Sequence, residues 1–519
     1  MTYEEKYKSK IKSVDEIIKI LGPYPREKTV IMCHGTFDVV HPGHLRHLMY
    51  TKTKADILLV SVTCDAHVTK ADFRPFIPEG LRALNLAAFD MVDYVIIDDE
   101  PKPIKNIEKI QPDLFAKGYE YNANGLHKKT GEEKKVLEVY GGVLIFTPGD
   151  IVYSSSKLIE SQRPDISDDK LIALMSAENV TFEMLHETLD KFLGVKVHVV
   201  GDTIIDTYTD TSMIGGQTKT PTISVRHEGE RKFVGGAGIV AKHLRAAGAV
   251  VTFTTVLGDD ALAKFALEDL EKAGVSLNII TDSSRPTTNK NAIVCNDYRL
   301  LKIDTLDNTP ISEEIQNQIE QYISDTQSEC IVFSDFRHGI FNKASIETFI
   351  GSIPENTYRV ADSQVASRWG NITDFKGFDL ITPNEREARF SLGDQDSVIR
   401  PLALRLFQIA KCKNLILKLG DRGLISYRRK MKDEEPSEEL NSFFVLDPFN
   451  ANVVDPVGSG DALLSYACLG DCIAKDSVVA AILGALAAAC ACEQDGNKPV
   501  TVEYMHTMLD KVENRIHYQ

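Results

Sequence analysis

The chain has 519 residues, a length that predicts two or three domains at about 100–200 residues per domain. Its composition, with 43% hydrophobic and 26% charged residues, is close to that of globular proteins and excludes wholesale disorder, collagen and a long coiled coil. The formal net charge of −16 argues against a nucleic-acid partner, because nucleic-acid binding needs many Lys and Arg side chains on one face. Phosphorylated small molecules remain compatible with this charge, since local loops can bind them.

The cysteines and the apolar segments indicate where the protein resides. The nine cysteines are scattered, without a C-x-x-C pair or zinc-ligand spacing, which predicts reduced, buried thiols. The N-terminus alternates charged and apolar residues, unlike a signal peptide. The longest apolar run, Val478 to Cys492, is Ala-rich and contains Gly484, as expected of a buried helix rather than a membrane span. We therefore expect a cytoplasmic protein without a membrane partner.

Short apolar strands alternate with helices over residues 1–163. The pattern predicts helices near 13–21, 43–54 and 80–89, and strands near 29–32, 56–62, 91–97, 114–117 and 142–147. Strands and helices that alternate at this spacing form βαβ units on a parallel sheet. Residues 1–163 are therefore predicted to be one Rossmann-like α/β domain.

A second strand-helix series occupies the rest of the chain. Residues 164–192 carry acidic residues with helical periodicity and predict a helical linker. Residues 193–519 are predicted to form a larger α/β domain, with strands near 196–200, 250–256, 329–333, 377–382 and 414–418. The polar, β-prone stretch 207–230 predicts a small β lid, and the charge-dense segment 428–442 predicts a solvated loop.

A pair of histidines follows the first strand. Gly35-Thr36-Phe37-Asp38 ends this strand, and His41-Pro42-Gly43-His44 opens the next helix. Both imidazoles then lie on one side of a helix N-terminus, where backbone N–H groups and the helix dipole favour phosphate. This arrangement suits a nucleoside triphosphate whose α-phosphorus is attacked.

These motifs resemble the nucleotidyltransferase superfamily that includes cytidylyltransferases and class I aminoacyl-tRNA synthetases. Arg74-Pro75, Val92-Asp93-Tyr94-Val95 and the segment from Tyr153 to Ile159 are similar to the adenylyltransferase half of bifunctional heptose kinase/adenylyltransferases. The resemblance covers about residues 10–160 and implies attack by a sugar-phosphate oxygen with release of pyrophosphate. It implies catalytic roles for His41, His44 and Lys70, and nucleotide binding by Gly35, Thr36, Phe37, Asp38, His41, His44, Lys117, Ser154, Ser155 and Ser156.

A glycine turn near the C-terminus carries a second constellation. Gly458-Ser459-Gly460-Asp461 precedes an Ala/Leu-rich helical run, so successive backbone N–H groups form an anion hole for a transferring phosphoryl group. Asp461, in the same first turn, is placed to accept a proton from an attacking hydroxyl.

Further motifs of this half resemble ribokinase-like (PfkB) sugar kinases over about residues 196–519. They are Gly201-Asp202 with Asp206 at a strand end, Gly235-Gly236 before a helix, Asn384 and Glu387 on one helix face, and Lys418 with Gly420 at a strand end. The resemblance implies that Asp206, Gly235, Gly236, Lys290 and Asp461 bind the substrate. It implies an anion hole of Lys418, Gly420, Gly458, Ser459 and Gly460, and Mg²⁺ held indirectly by Asn384 and Glu387.

Two features depart from the bifunctional heptose enzymes. Those enzymes carry the kinase first, whereas here the nucleotidyltransferase motifs come first. Ile239 follows the glycine turn at a position where the family usually has an Asn that helps to hold the sugar. This second departure leaves the kinase substrate open.

We therefore predict a bifunctional enzyme. Its C-terminal half phosphorylates a sugar or sugar phosphate with ATP, and its N-terminal half uses a second nucleoside triphosphate, ATP or CTP, to form an NDP-sugar and pyrophosphate. Mg²⁺ is the expected cofactor, and a homodimer formed through the kinase lid is expected. One alternative is a CTP-dependent cytidylyltransferase for a polyol or glycerol phosphate, fused to a kinase of different substrate. The other is that one half is a non-catalytic regulatory module.

Overall fold

The computed structural model describes residues 3–68, 75–118, 128–147, 167–216, 223–296, 298–364, 371–429, 443–449 and 453–517. The chain divides into two compact units, one within Met1–Leu174 and the other containing the described residues from Met175 onward. Helices Ser167–Glu178 (α7) and Phe182–Asp190 (α8) lie in the segment predicted as a helical linker. The domain limits at 163 and 193 stay predictions. Within the described ranges, no helix is both long and apolar enough to cross a membrane.

The smaller unit is built on a five-stranded sheet. Its strands are Val30–Gly35 (β1), Ile57–Thr63 (β2), Tyr94–Asp98 (β3), Leu114–Gly118 (β4) and Val143–Thr147 (β5). All are parallel in the order β3-β2-β1-β4-β5, which is a Rossmann-like arrangement, as predicted. The helices are Tyr3–Lys8 (α1), Val14–Leu21 (α2), Pro42–Lys52 (α3), Glu79–Ala87 (α4), Ile104–Ile110 (α5) and Lys128–Tyr140 (α6).

Strand β1 is apolar without alternation because both of its faces are buried. Ile31 belongs to a hydrophobic cluster on one side of the sheet and Met32 to a cluster on the other. Successive side chains of a strand point to opposite faces, so a central parallel strand needs apolar residues at both. This burial fixes the strand end from which the Gly35 turn and the His41 motif project.

The larger unit contains a nine-stranded sheet and a four-stranded lid sheet. The strands are Lys196–Gly201 (β6), Thr203–Gly216 (β7), Ile223–Gly236 (β8), Val250–Leu257 (β9), Ser276–Thr281 (β10), Asn289–Cys295 (β11), Tyr298–Thr305 (β12), Cys330–Asp335 (β13), Tyr358–Ser363 (β14), Leu380–Ile381 (β15), Asn414–Lys418 (β16), Leu424–Arg428 (β17) and Phe443–Leu446 (β18). The large sheet has the order β10-β9-β6-β13-β14-β15-β16-β17-β18, and the lid sheet has the order β12-β11-β7-β8. The predicted β lid over 207–230 is thus present in strands β7 and β8, and β11 and β12 complete its sheet.

Nine further helices of the larger unit are described. They are Ala237–Ala246 (α9), Ala261–Lys272 (α10), Glu313–Asp325 (α11), Lys343–Gly351 (α12), Glu385–Leu392 (α13), Ile399–Ala410 (α14), Ser459–Ala474 (α15), Ser477–Cys492 (α16) and Val502–His517 (α17). The segment Val478 to Cys492 forms most of α16 and is almost wholly buried, as its apolar sequence predicts.

The parallel strands of the large sheet end at one edge, which is where α/β proteins bind ligands. Strands β6, β13, β14 and β16 are aligned in parallel register along this sheet. Their carboxyl ends bring the residues around Asp202, Asp335, Ser363 and Lys418 to a common edge. The site described next is assembled there.

Candidate active sites

A cavity of about 500 Å³ lies beside the first turn of α15. Asp206 and Lys290, from the lid strands β7 and β11, line the cavity together with Asp461 of α15. The structure thus brings five of the predicted kinase residues to one cavity: Asp206, Gly236, Lys290, Gly458 and Asp461.

The carboxyl group of Asp461 lies in a setting suited to proton transfer near neutral pH. Burial, followed by the charge of Asp362, raises its pKa to about 7, although Lys418 acts in the opposite direction. Burial also raises the pKa of Asp206, against the effect of Lys290, and lowers the pKa of Lys290. A base whose pKa lies near the working pH both accepts a proton readily and is substantially deprotonated beforehand.

Lys418 lies at the end of β16 and pairs with a carboxylate that the sequence analysis missed. Its Nζ is 3.2 Å from both carboxylate oxygens of the buried Asp362. Burial alone would lower the pKa of Lys418, but Asp362, Glu387 and Asp461 together raise it. The backbone of Gly460 lies close to this lysine, because a Cβ at Gly460 would be 3.4 Å from Lys418 Nζ. The predicted anion-hole residues Lys418 and Gly460 are therefore neighbours.

Asn384 and Glu387 form the N-terminal cap of α13. The Asn384 backbone N–H and side-chain amide each donate to Glu387, both at 2.6 Å, and Glu387 N–H donates back to Asn384 Oδ1 at 2.9 Å. Burial, followed by the charge of Asp362, raises the pKa of Glu387 to about 7. Three carboxylates, Asp362, Glu387 and Asp461, therefore surround a single lysine. This surplus of oxygen ligands fits a magnesium site of the indirect kind predicted.

Asn497 lines the cavity close to both Asp206 and Gly458, and the sequence analysis did not single it out. Its Nδ2 lies 3.5 Å from Asp206 Oδ2, and its Oδ1 lies where a Cβ at Gly458 would approach to 2.2 Å. Gly458 has φ of 80°, so glycine is required there for both backbone and space. Asn497 is buried, and Oδ1 receives a hydrogen bond from no donor among the described residues. Its signal in the sequence is only a lone Asp-Gly-Asn turn.

The remaining predicted residues of the kinase half have local roles. A Cβ on Gly235 would stand 2.1 Å from Asp206 Oδ2, so the glycine allows that carboxylate its position. Ser459 donates its hydroxyl to Pro456 O at 2.8 Å. Gly420 begins a short 3₁₀ turn after β16. Asp202 accepts hydrogen bonds from the backbone N–H groups of Phe336 and His338, which holds the loop after β13 against the cavity.

In the smaller unit, His41 and His44 form a reciprocal cap at the start of α3. Gly43 N–H donates to His41 Nδ1 at 3.1 Å, and His41 N–H lies 3.4 Å from His44 Nδ1. The two rings stack with centroids 3.9 Å apart. Burial, followed by the charge of His41, lowers the pKa of His44 to about 4, so His44 is neutral at pH 7. A neutral ring whose Nδ1 accepts a hydrogen bond carries its proton on Nε2.

The loop between β1 and α3 is held by Arg82. This fully buried side chain donates to the carbonyls of Thr36, Thr63 and Ile77 and to Asp65 Oδ1. Asp38, predicted in nucleotide binding, accepts from Ile77 N–H at 2.8 Å. Phe37 adopts a positive φ and packs edge-on to His44 and against Gly35. Gly35 thus ends β1, and Thr36, Phe37 and Asp38 lie in the loop beside the histidines, while their role in nucleotide binding stays a prediction.

Lys117, at the end of β4, lies on the same sheet edge. Its Nζ is 2.9 Å from Glu133 Oε1 of α6, and both side chains are largely buried. A triphosphate would have to compete with Glu133 for this cation, so the role predicted for Lys117 stays a prediction. Lys70, Ser154, Ser155 and Ser156 lie outside the described residues, as does most of the charged segment 428–442.

Comparisons with known proteins agree with this division. Residues 195–501 match the family model described as pfkB family carbohydrate kinase, and residues 32–162 match the model described as cytidylyltransferase-like. The predicted order, nucleotidyltransferase first and kinase second, is confirmed. The chain is 38% identical over 158 residues to the "Bifunctional protein HldE" of Citrifermentans bemidjiense, covering 29% of this chain and 31% of that protein. It is 27% identical over 337 residues to the HldE of Helicobacter hepaticus, covering 62% of this chain and 66% of that protein.

Solved structures support the fold of the larger unit. Escherichia coli phosphofructokinase-2 in complex with potassium matches with a TM-score of 0.51 at 16% identity, covering 62% of this chain and 99% of that one. The tetrameric inhibited form of the same enzyme matches with a TM-score of 0.50 at 15% identity, covering 62% and 99%. The pfkB model spans more than half of the 519 residues and contains Asp206, Lys418 and Asp461. The chain therefore belongs to the pfkB family of carbohydrate kinases, with a cytidylyltransferase-like domain before the kinase.

Proposed function

We propose that the larger unit transfers the γ-phosphoryl group of ATP to a hydroxyl of a sugar phosphate. The observation that carries this proposal is the composition of the cavity. Asp206 and Asp461 supply acceptors for sugar hydroxyls, and Lys290, Arg299 and Lys302 line the same space with positive charge. A neutral sugar would gain little from three cations, whereas a phosphate group on the substrate is bound by them.

Asp461 acts as the general base in this proposal. The substrate hydroxyl oxygen attacks the γ-phosphorus, the bond to the ADP oxygen breaks, and the hydroxyl proton moves to the Asp461 carboxylate. The Gly460 backbone N–H at the start of α15, together with Lys418, stabilises charge on the phosphoryl oxygens, whereas the N–H groups of Ser459 and Asp461 donate to backbone carbonyls. Bound Mg²⁺ would neutralise charge on the triphosphate, with Asn384, Asp362 and Glu387 as the oxygen-bearing side chains near it.

For the smaller unit we propose nucleotidyl transfer to the phosphorylated sugar, giving an NDP-sugar and pyrophosphate. The reciprocal cap of His41 and His44 supports this function, because it places two imidazoles at a helix N-terminus in a tautomer that donates hydrogen bonds. Resemblance to the heptose enzymes favours ATP as the nucleotide. The cytidylyltransferase-like family match supports the alternative, CTP with a polyol or glycerol phosphate.

The lid sheet is the proposed dimer contact of the kinase unit. Met213, Ile214, Ile223, Leu301 and Ile303 of its strands are large apolar side chains, each 47–66% exposed. Clusters of exposed apolar residues on a sheet are typical of a surface that a partner covers. A second copy placed there would also close the cavity from the side of Arg299 and Lys302.

The experiment is a panel of sugar phosphates and polyol phosphates tested with each nucleoside triphosphate, measuring ADP and pyrophosphate separately. We expect ADP formation with ATP to be lost in Asp461→Asn and retained in His44→Gln. We expect pyrophosphate release from a supplied phosphosugar to show the opposite pattern. The proposal is wrong if Asp461→Asn forms ADP at the wild-type rate, or if both variants lose both reactions while remaining folded.

A further inference from the structure

Two helices from opposite ends of the larger unit share a cluster of histidines and acids. Helix α8 contributes His186 and Asp190, which are four residues apart and therefore on one face. Helix α17 contributes His506, Asp510 and Glu513, which are four and three residues apart and therefore also lie on one face. The rings of His186 and His506 are only partly exposed, at 25% and 28%, and the acids lie at the solvent edge. None of the five is among the described residues that line the kinase cavity.

The two imidazoles are joined directly. His186 Nδ1 lies 2.6 Å from His506 Nδ1, and the rings are parallel within 4°. On the outer sides of the pair, His506 Nε2 lies 3.2 Å from Asp190 Oδ1, and His186 Nε2 lies 3.4 Å from Asp510 Oδ1. The result is a continuous row: Asp190, His506, His186, Asp510.

The protons of two neutral imidazoles cannot satisfy this row. One Nδ1 must donate to the other, because two lone pairs at that distance repel. If His186 donates, neutral His506 keeps a proton on Nε2 for Asp190, but His186 Nε2 then turns a lone pair toward Asp510. If His506 donates, its own Nε2 lone pair faces Asp190. Either way one ring-nitrogen lone pair faces a carboxylate, and a metal ion can bind between two such groups.

The carboxylate of Glu513 indicates where a metal ion would bind. One ligand atom each from His186, Asp510 and Glu513 lie within 4.8 Å of one another. Imidazole nitrogen and carboxylate oxygen both bind zinc, so one imidazole and two carboxylates supply three donors toward a tetrahedral site. The ligand atoms around a zinc ion are closer together than 4.8 Å. The three side chains reach that spacing by changing rotamer.

We propose that His186, Asp510 and Glu513 form a site for a divalent transition metal ion such as Zn²⁺. His186 Nε2 is the nitrogen ligand, its Nδ1–H donates to His506, and His506 donates to Asp190. This is the outer hydrogen-bond chain that commonly orients a metal-bound imidazole. The ion ties α8 to α17 across a separation of 320 residues in the chain. The ion therefore links α8 to α17 within the larger unit, at a site separate from the cavity that contains Asp461.

The test is Zn²⁺ binding to the full-length protein after chelator treatment, followed by calorimetry at pH 7.5. We expect one Zn²⁺ per chain in the wild type, loss of that binding in His186→Ala, and 10–100-fold weaker binding in His506→Gln. His227→Ala is the matched control, because His227 is an exposed histidine of β8, and it should bind Zn²⁺ as the wild type does. Zn²⁺ should also raise the melting temperature of the wild type but not that of His186→Ala.

A second variant keeps the test valid if His186→Ala does not fold. Glu513→Gln keeps both histidines and removes one ligand charge, so it should weaken Zn²⁺ binding while leaving the metal-free melting temperature near that of the wild type. Equal Zn²⁺ affinity in the wild type, His186→Ala and Glu513→Gln would refute the site. A wild-type protein that binds no Zn²⁺ would equally overturn the proposal.

Discussion

The replacement Asp461→Asn separates the catalytic role of this carboxyl group from its cost to stability. The amide keeps the size and shape of the side chain, and the backbone hydrogen bonds of the turn run from Asp461 N–H and Ala462 N–H to Gly458 O, so they survive the change. The proposed general base is lost. Removal of such a base lowers the rate by about 10²–10⁴-fold, so we expect that loss in kcat for phosphoryl transfer.

Although kcat should fall, the free energy of unfolding should rise in Asp461→Asn. The pKa of Asp461 is raised from 3.8 to about 7, so the folded protein binds its proton more tightly than the unfolded chain does. The penalty for holding the charged form is absent below pH 3.8, grows between pH 3.8 and 7, and is complete above pH 7. A shift of this size corresponds to about 4 kcal/mol, which we reduce to about 2 kcal/mol because Asp461 partly faces the cavity. Asp461→Asn removes the penalty.

The assay combines ADP release with urea unfolding at pH 8 and pH 4. We expect kcat to fall at least about 100-fold while the free energy of unfolding rises by about 2 kcal/mol at pH 8 and is unchanged at pH 4. Wild-type kcat/KM should rise with pH through about 7, and this dependence should be absent from the residual activity of the variant. Loss of activity accompanied by lower stability at pH 8 would refute the assignment, because it would make Asp461 a structural residue.

Three further predictions concern other parts of the molecule. Asn497→Ala should raise KM for the phosphate acceptor about 10-fold with little change in kcat, if Oδ1, which accepts no hydrogen bond from the residues described, binds a substrate hydroxyl; unchanged KM in a steady-state assay would contradict this. Arg82→Met should destabilise the smaller unit by about 3–5 kcal/mol in chemical denaturation, since three carbonyls and a carboxylate lose a buried cation; a value under 1 kcal/mol would show that water replaces it. Burial lowers the pKa of His34 to about 3 and those of His44 and His47 to about 4, so these three rings stay neutral in the folded unit while they gain protons in the unfolded chain below pH 6.5; together they should lower its unfolding free energy by about 4 kcal/mol from pH 7.5 to pH 5.5, and His34→Gln should reduce that slope in chemical denaturation.

The amino-acid sequence by itself determined the two α/β units, their order and the glycine turns. These features depend on local rules: apolar strands alternate with helices, and a Gly-rich turn before a helix marks a phosphate site. Asp461 follows its glycines directly, and His41 and His44 share one helical turn, so both constellations are visible within a few residues. The β lid also follows from a polar, β-prone stretch.

Only the tertiary structure decided which distant groups meet. Asp362 meets Lys418 across 56 residues because β14 and β16 end at one edge of the large sheet, and Asn497 reaches Asp206, near the start of the lid strand β7, across 291 residues. The pairing of Lys117 with Glu133 and the burial of Arg82 likewise depend on packing between separate elements. The contact between His186 of α8 and His506 of α17 joins residues that are 320 positions apart in the chain. Local patterns carry no information on such pairs, because long-range contacts are selected by how whole elements pack.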